Sequence, residues 1–137
     1  MPNLDLLSEY IRLNLHVPVG VEGDQLILNL SLSNGRTQTV LVSVKNYKNG
    51  KVIEVRSRCG VISDPETVRA LLKRNFSGSI GGLAMDKVEG QYVVDCVQRL
   101  VVPPDLGVQI DEFLDTISSI GMQADLIESK LSQADVF

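Results

Sequence analysis

The sequence predicts an α+β fold in the order α-β-β-β-α-β-β-α, an antiparallel sheet with helices packed against it. Three observations predict it. Residues 25–33, "QLILNLSLS", send Leu26, Leu28, Leu30 and Leu32 to one side and Ile27, Asn29, Ser31 and Ser33 to the other, the period of two of a half-buried strand. Asn34-Gly35 and Asn49-Gly50 fall between strand-like segments, where a tight hairpin needs residues that accept positive φ. A long segment with helical apolar spacing follows Pro103-Pro104. Strands and helices thus segregate along the chain, which favours antiparallel pairing over parallel crossovers. The 137 residues show no repeat, linker or low-complexity segment, so 1–137 reads as a single domain.

Each element has its own signal. Residues 3–15 read as a short helix with Leu4, Leu7 and Ile11 on one side, ended by Pro18 and Gly20. After the first strand, "TQTVLVSVKNY" aligns Val40, Val42 and Val44, and "KVIEVRSRC" aligns Ile53, Val55 and Cys59. These three strands form a meander. "SDPETVRALLKRN" starts a helix with Asp64 as cap, Pro65 in the first helical position and Glu66 at the positive end. Val68, Leu71 and Leu72 are its apolar stripe, and Asn75 helps to end it. A strand over 80–86 and a strand "QYVVDCVQRL" flank a turn at "DKVEGQ", with Tyr92, Val94 and Cys96 on one face of the second. Asp105 is placed to cap the last helix. Its stripe runs through Ile110, Phe113, Leu114, Ile117, Gly121, Ala124, Ile127 and Leu131. Small Gly121 and Ala124 let a neighbour pack closely.

Composition narrows the function. At 44% apolar residues the chain has material for a core, and no apolar run approaches the roughly 20 residues of a membrane helix. The N-terminus lacks the basic and cleavage patterns of a signal peptide, so the expected location is cytoplasmic. Cys59 and Cys96 then read as buried thiols, with a disulfide as the alternative. Two cysteines and one histidine cannot close an ordinary structural zinc site within one chain.

The net charge of −4 is unevenly spread. From residue 105 onward seven acids face one base, Lys130, while residues 34–60 hold six bases against Glu54 alone. Such asymmetry can steer a partner, although solvated faces also carry charge. Nucleic acid is disfavoured. The chain as a whole is acidic, and Tyr47 is the one aromatic residue within the basic segment.

The stretch "RNFSGSIGGLAMD" poses the sharpest chemical question, because Gly78, Gly81 and Gly82 suggest a phosphate loop. A Walker loop runs into Gly-Lys-Ser/Thr before a helix, whereas Gly82 is followed by Leu83, Ala84 and Met85. A dinucleotide fingerprint needs a strand before it and a helix after it, and here the order is reversed. The glycines therefore open a strand, allowing a sharp turn and close backbone approach.

No nucleophile elbow or Cys-His spacing appears, and His16 stands alone near a helix end. Asp111, Glu112 and Asp115 read as a solvated helix face. The expectation is a non-enzyme with no cofactor and no metal. A ligand pocket using Asp95, Tyr92 and His16 is the competing reading. A nucleic-acid surface of Lys45, Lys51, Arg56 and Arg58 is a third.

Surface able to meet another protein remains. Ile27, Leu41 and Val52 lie opposite the Leu28 and Val42 face, and Met122 and Leu126 flank the stripe of the last helix. Those last two are either exposed or part of a wide buried stripe.

The segments "VRALLKRNFSGSIGGLAMDKVEGQYVVDCVQRL" and "IDEFLDTISSIGMQADLIESKL", with its pair Ala124-Asp125, carry a resemblance. With the element order, they resemble the class I type III secretion chaperones and the YbjN-like proteins across nearly the whole chain. The matching motifs are packing motifs without a catalytic signature. The resemblance implies a homodimer that binds a protein client or partner, as chaperone or regulator. It also implies a subunit boundary near the second helix and the following hairpin, where Gly81 and Gly82 would let backbones approach and Leu83 and Met85 would pack.

Overall fold

The computed structural model describes residues 4–33, 35–48, 50–74, 82–102 and 109–132. The elements are α1 (Leu4–Leu15), β1 (Val19–Glu22), β2 (Gln25–Ser31), β3 (Thr37–Tyr47), β4 (Gly50–Ile62), α2 (Pro65–Arg74), β5 (Gly82–Val88), β6 (Gln91–Val102) and α3 (Ile110–Ser132). The six strands make one antiparallel sheet in the order β1-β2-β3-β4-β6-β5. The α+β arrangement holds, with one strand more than the sequence predicts. Pro18 and Gly20 read as a stop signal, yet Val19–Glu22 pairs along β2 from Val19↔Leu28 to Glu22↔Gln25. That strand owes its existence to its neighbour, because four residues have little preference of their own.

The hairpins follow the turn chemistry with one correction. Asn34 lies outside the described residues, but the bonds around it do not fit a two-residue type I′ turn. Leu32 N–H donates to Arg36 O at 2.8 Å and Gly35 N–H to Leu32 O at 3.0 Å, with Gly35 at φ 83°. A pairing of Leu32 with Arg36 and a glycine in the left-handed region at 35 belongs to hairpins longer than the two-residue type. Between β3 and β4 the pair is Tyr47↔Gly50, so Gly50 already belongs to the strand, and Asn49 lies outside the described residues. Glu89 (φ 50°) and Gly90 (φ 81°) form the two-residue turn between β5 and β6.

α1 and α3 pack on one face of the sheet. Leu7 and Ile11 from α1 meet Leu26, Leu28, Val40, Val42, Ile53 and Val55 from the strands, and Phe113, Ile117, Ile120, Ala124 and Ile127 from α3. Gly121 lets α3 come close, since a Cβ there would stand 2.7 Å from Leu30 Cδ2 and 3.6 Å from Val40 Cγ2. At the hairpin tip Arg36 Nε lies 2.8 Å from Asp125 Oδ1, and Arg36 Nη2 lies 3.6 Å from Glu128 Oε1. Part of the acidic C-terminal charge is therefore matched by a base within the same chain. Asp64 caps α2 as predicted, accepting bonds from the N–H groups of Glu66 and Thr67 and from the Thr67 hydroxyl. The side chains of Val68, Leu71 and Leu72 are outside the description, as are Asn75, Asp105 and Gly81.

Candidate functional site

Two surfaces concentrate the unusual features, the face of the sheet opposite α1 and α3 and the exposed flank of α3. On the first, β-strand alternation turns Glu54, Arg56 and Arg58 of β4 and Asp95, Val97 and Arg99 of β6 to the side opposite the core. The register sets Glu54 beside Arg99, Arg56 beside Val97 and Arg58 beside Asp95. Glu54 and Asp95 are 5% and 3% exposed, so each carboxylate needs partners. Glu54 has Arg99 at 3.0 Å, Arg56 at 3.3 Å and Lys45 at 3.4 Å. Asp95 has Arg58 at 3.0 Å and Arg56 at 3.2 Å. Burial pushes the Glu54 carboxyl up, but Arg56, Lys45 and Arg99 outweigh it and hold the group below its ordinary value.

This ladder of charge involves the residues of the nucleic-acid reading. Arg56, Arg58 and Lys45, three of the four candidates for a nucleic-acid surface, are ion-paired with two buried carboxylates of their own sheet, four cations with Arg99 against two acids. The apolar candidates are also separated. Ile27 and Leu41 are a cross-strand pair next to Arg56. Val52 pairs with Lys45 and Val101, four residues further along β4 and about 13 Å away at strand rise. All three are partly buried. Ile27 and Leu41 line a shallow hollow of about 240 Å³ with Glu22, Gln25, Thr39 and the Arg56–Asp95–Arg58 group. The ladder left a partial trace in the sequence: Glu54, Arg56 and Arg58 share one parity on β4, with Lys51 on the other, and Asp95 and Arg99 share one on β6.

The second surface is the flank of α3. Met122 and Leu126 stand one turn apart and are 60% and 48% exposed, so they do not belong to the buried stripe. They line a groove of about 350 Å³ with Leu32, Ser33, Gln123, Asp125 and Ser129. The stripe itself includes Ile120, fully buried and absent from the sequence reading.

The polar trio Asp95, Tyr92 and His16 does not converge. Asp95 and Tyr92 lie on opposite faces of β6. His16 is exposed, with φ 55°, and its N–H donates to Arg12 O at 3.2 Å. It closes the C-terminus of α1 in the left-handed conformation. At the boundary suggested by the resemblance, Gly82 opens the edge strand β5 and is exposed, while Leu83 and Met85 pack partly against the core of their own protomer. Among the described residues no three His, Cys, Asp or Glu side chains are grouped to hold a metal ion, and no helix is long and apolar enough to cross a membrane.

No protein-family model and no curated protein matches the chain. A solved structure does. The crystal structure of YbjN from E. coli, a candidate transcription regulator, matches with a TM-score of 0.60 at 17% identity, covering 99% of this chain and 96% of that one. The chain has a YbjN-like fold. The likeness spans every element described above, the added strand β1 and the long α3 included. It bears on the architecture of the sheet and its helices, and both surfaces are assessed on their own chemistry.

Proposed function

We propose that this chain is a non-enzymatic, dimeric protein-binding module, chaperone-like or regulatory, that receives an apolar segment of a partner protein in the groove beside α3. The observation that carries this reading is the exposure of Met122 and Leu126 next to Leu32 in a concave surface. Large apolar groups gathered in a groove lose contact with water when a partner side chain enters. The unbranched thioether of Met122 can adapt to different occupants. Gln123, Asp125 and Ser129 add polar groups to the same lining, Asp125 being paired with Arg36. The test is capture of partners by the full chain against a Met122→Glu, Leu126→Glu variant. The variant is expected to keep its melting temperature and to lose its partner proteins. Equal capture by both chains excludes the groove.

A second reading draws on YbjN, described as a candidate transcription regulator. Direct DNA contact would have to compete with the ion pairs that Glu54 and Asp95 make with Lys45, Arg56, Arg58 and Arg99. If the chain regulates transcription, contact with another protein fits this surface better. DNA binding that weakens steeply between 50 and 200 mM salt, roughly the range over which phosphate contacts are lost, would favour the direct route.

A further inference from the structure

Cys59 and Cys96 are separated by 37 positions in sequence and meet in the centre of the core. They are 0% and 1% exposed, and their Sγ atoms lie 3.4 Å apart. The ladder is irregular beside them. Along β4 and β6 the pairs run Ser57↔Cys96 and Arg58↔Asp95, then jump to Gly60↔Val94. Cys59, inward by alternation with Ile53, Val55 and Ser57, is the residue the ladder skips, and the β-bulge leaves it and Gly60 facing the same side. Gly60 takes φ 155°, and a Cβ there would touch Leu131 Cδ1 at 3.3 Å, so the last turn of α3 roofs the bulge. On the opposite face Arg58 and Asp95 clamp the same two strands through their 3.0 Å ion pair.

We propose that Cys59 and Cys96 are a thiol–disulfide couple that the fold holds ready for oxidation, a modification site stapling β4 to β6. The thiols lose two protons and two electrons and gain one S–S bond. A small disulfide such as oxidised glutathione accepts both, its own S–S bond breaking to release two thiols through a mixed-disulfide intermediate. Forming a bond of about 2.05 Å asks the sulfurs to close by a little more than 1 Å from neighbouring strands already in register. The Cys96 contact and burial push the Cys59 thiol well above its ordinary range. Attack therefore waits for opening of the roof over Gly60, and exchange in the folded chain is slow.

The test exploits linkage: if the disulfide suits the fold, folding must favour the disulfide. The full chain is equilibrated with graded ratios of reduced to oxidised glutathione, with and without denaturing urea, starting from both redox states until they converge. Alkylation and intact mass then give the oxidised fraction, and peptide mapping locates the bond. The expected result is a Cys59–Cys96 disulfide whose equilibrium constant in the folded chain exceeds that in the unfolded chain by a factor on the order of 100. The oxidised chain should melt higher by several degrees. An unfolded chain that oxidises as readily as the folded one, or two separate glutathione adducts in the folded chain, would overturn the proposal. A Leu131→Ala variant should reach the same equilibrium faster, and an unchanged rate would remove the roof from the argument.

Discussion

Glu54 shows how one side chain can tie the sheet to pH. Burial alone would favour its neutral form, but three cations reverse the balance and its pKa lies below the ordinary value of 4.5. A carboxylate with a lowered folded-state pKa contributes stability that is fully present above its unfolded value and is lost as pH falls through the folded one. The melting temperature should thus hold near neutrality and decline on acidification below about pH 4.5. Glu54→Gln should flatten that decline and cost about 1–3 kcal/mol at pH 7, because three cations lose their shared acceptor. Equal acid sensitivity in the variant would place the titration elsewhere. Glu89 poses a backbone question instead. It occupies φ 50° in a two-residue turn that asparagine fills with less strain. Glu89→Asn should stabilise the chain by about 0.5 kcal/mol in urea unfolding, and a loss of stability would mean that the Glu89 side chain contributes more than its backbone strain costs.

At the scale of elements, α3 depends on one small residue. Gly121 lets the helix settle against β2 and β3, with Leu30 and Val40 where a side chain would extend. Gly121→Leu should destabilise by about 2–4 kcal/mol through overpacking, whereas Gly121→Ala trades a shift of the flexible Leu30 tip against better helix propensity. A Leu variant with native stability would show that α3 can ride higher on the sheet without loss. The sequence made the closeness at Gly121 legible, but not its neighbour, because spacing along one helix carries no information about the strand across from it. Alternation made β2, β3 and β4 legible for the same local reason, and the Asp64-Pro65 pair did so for the start of α2. β1 escaped because its strand character comes from β2. The ion-pair ladder escaped because pairing Glu54 with Arg99 requires knowing that β6, not β5, lies beside β4. Met122 and Leu126 were legible as flanking positions, while their exposure depended on how far α3 rolls over the sheet.

At the scale of the whole molecule, the sheet formed by the described residues ends at β1 on one side and β5 on the other, and edge strands are where sheets of two chains can meet. β5 is the better candidate for a subunit boundary. It carries exposed Gly82 and three exposed residues at its far end, and its inward side chains Leu83 and Met85 are only partly covered by their own core. A second copy meeting this edge would complete the burial of these two side chains. Light scattering over a concentration series should give twice the 15.0 kDa chain mass. Gly82→Val puts a branched side chain where the two backbones would approach, and should raise the dimer dissociation constant at least about tenfold, some 1.4 kcal/mol. Far-ultraviolet circular dichroism of the dissociated variant, unchanged from that of the dissociated parent, would separate a blocked contact from a distorted strand. A strict monomer at every concentration would remove the dimer from the proposed function and leave the α3 groove to act within one subunit, where the Met122 and Leu126 variants still test it.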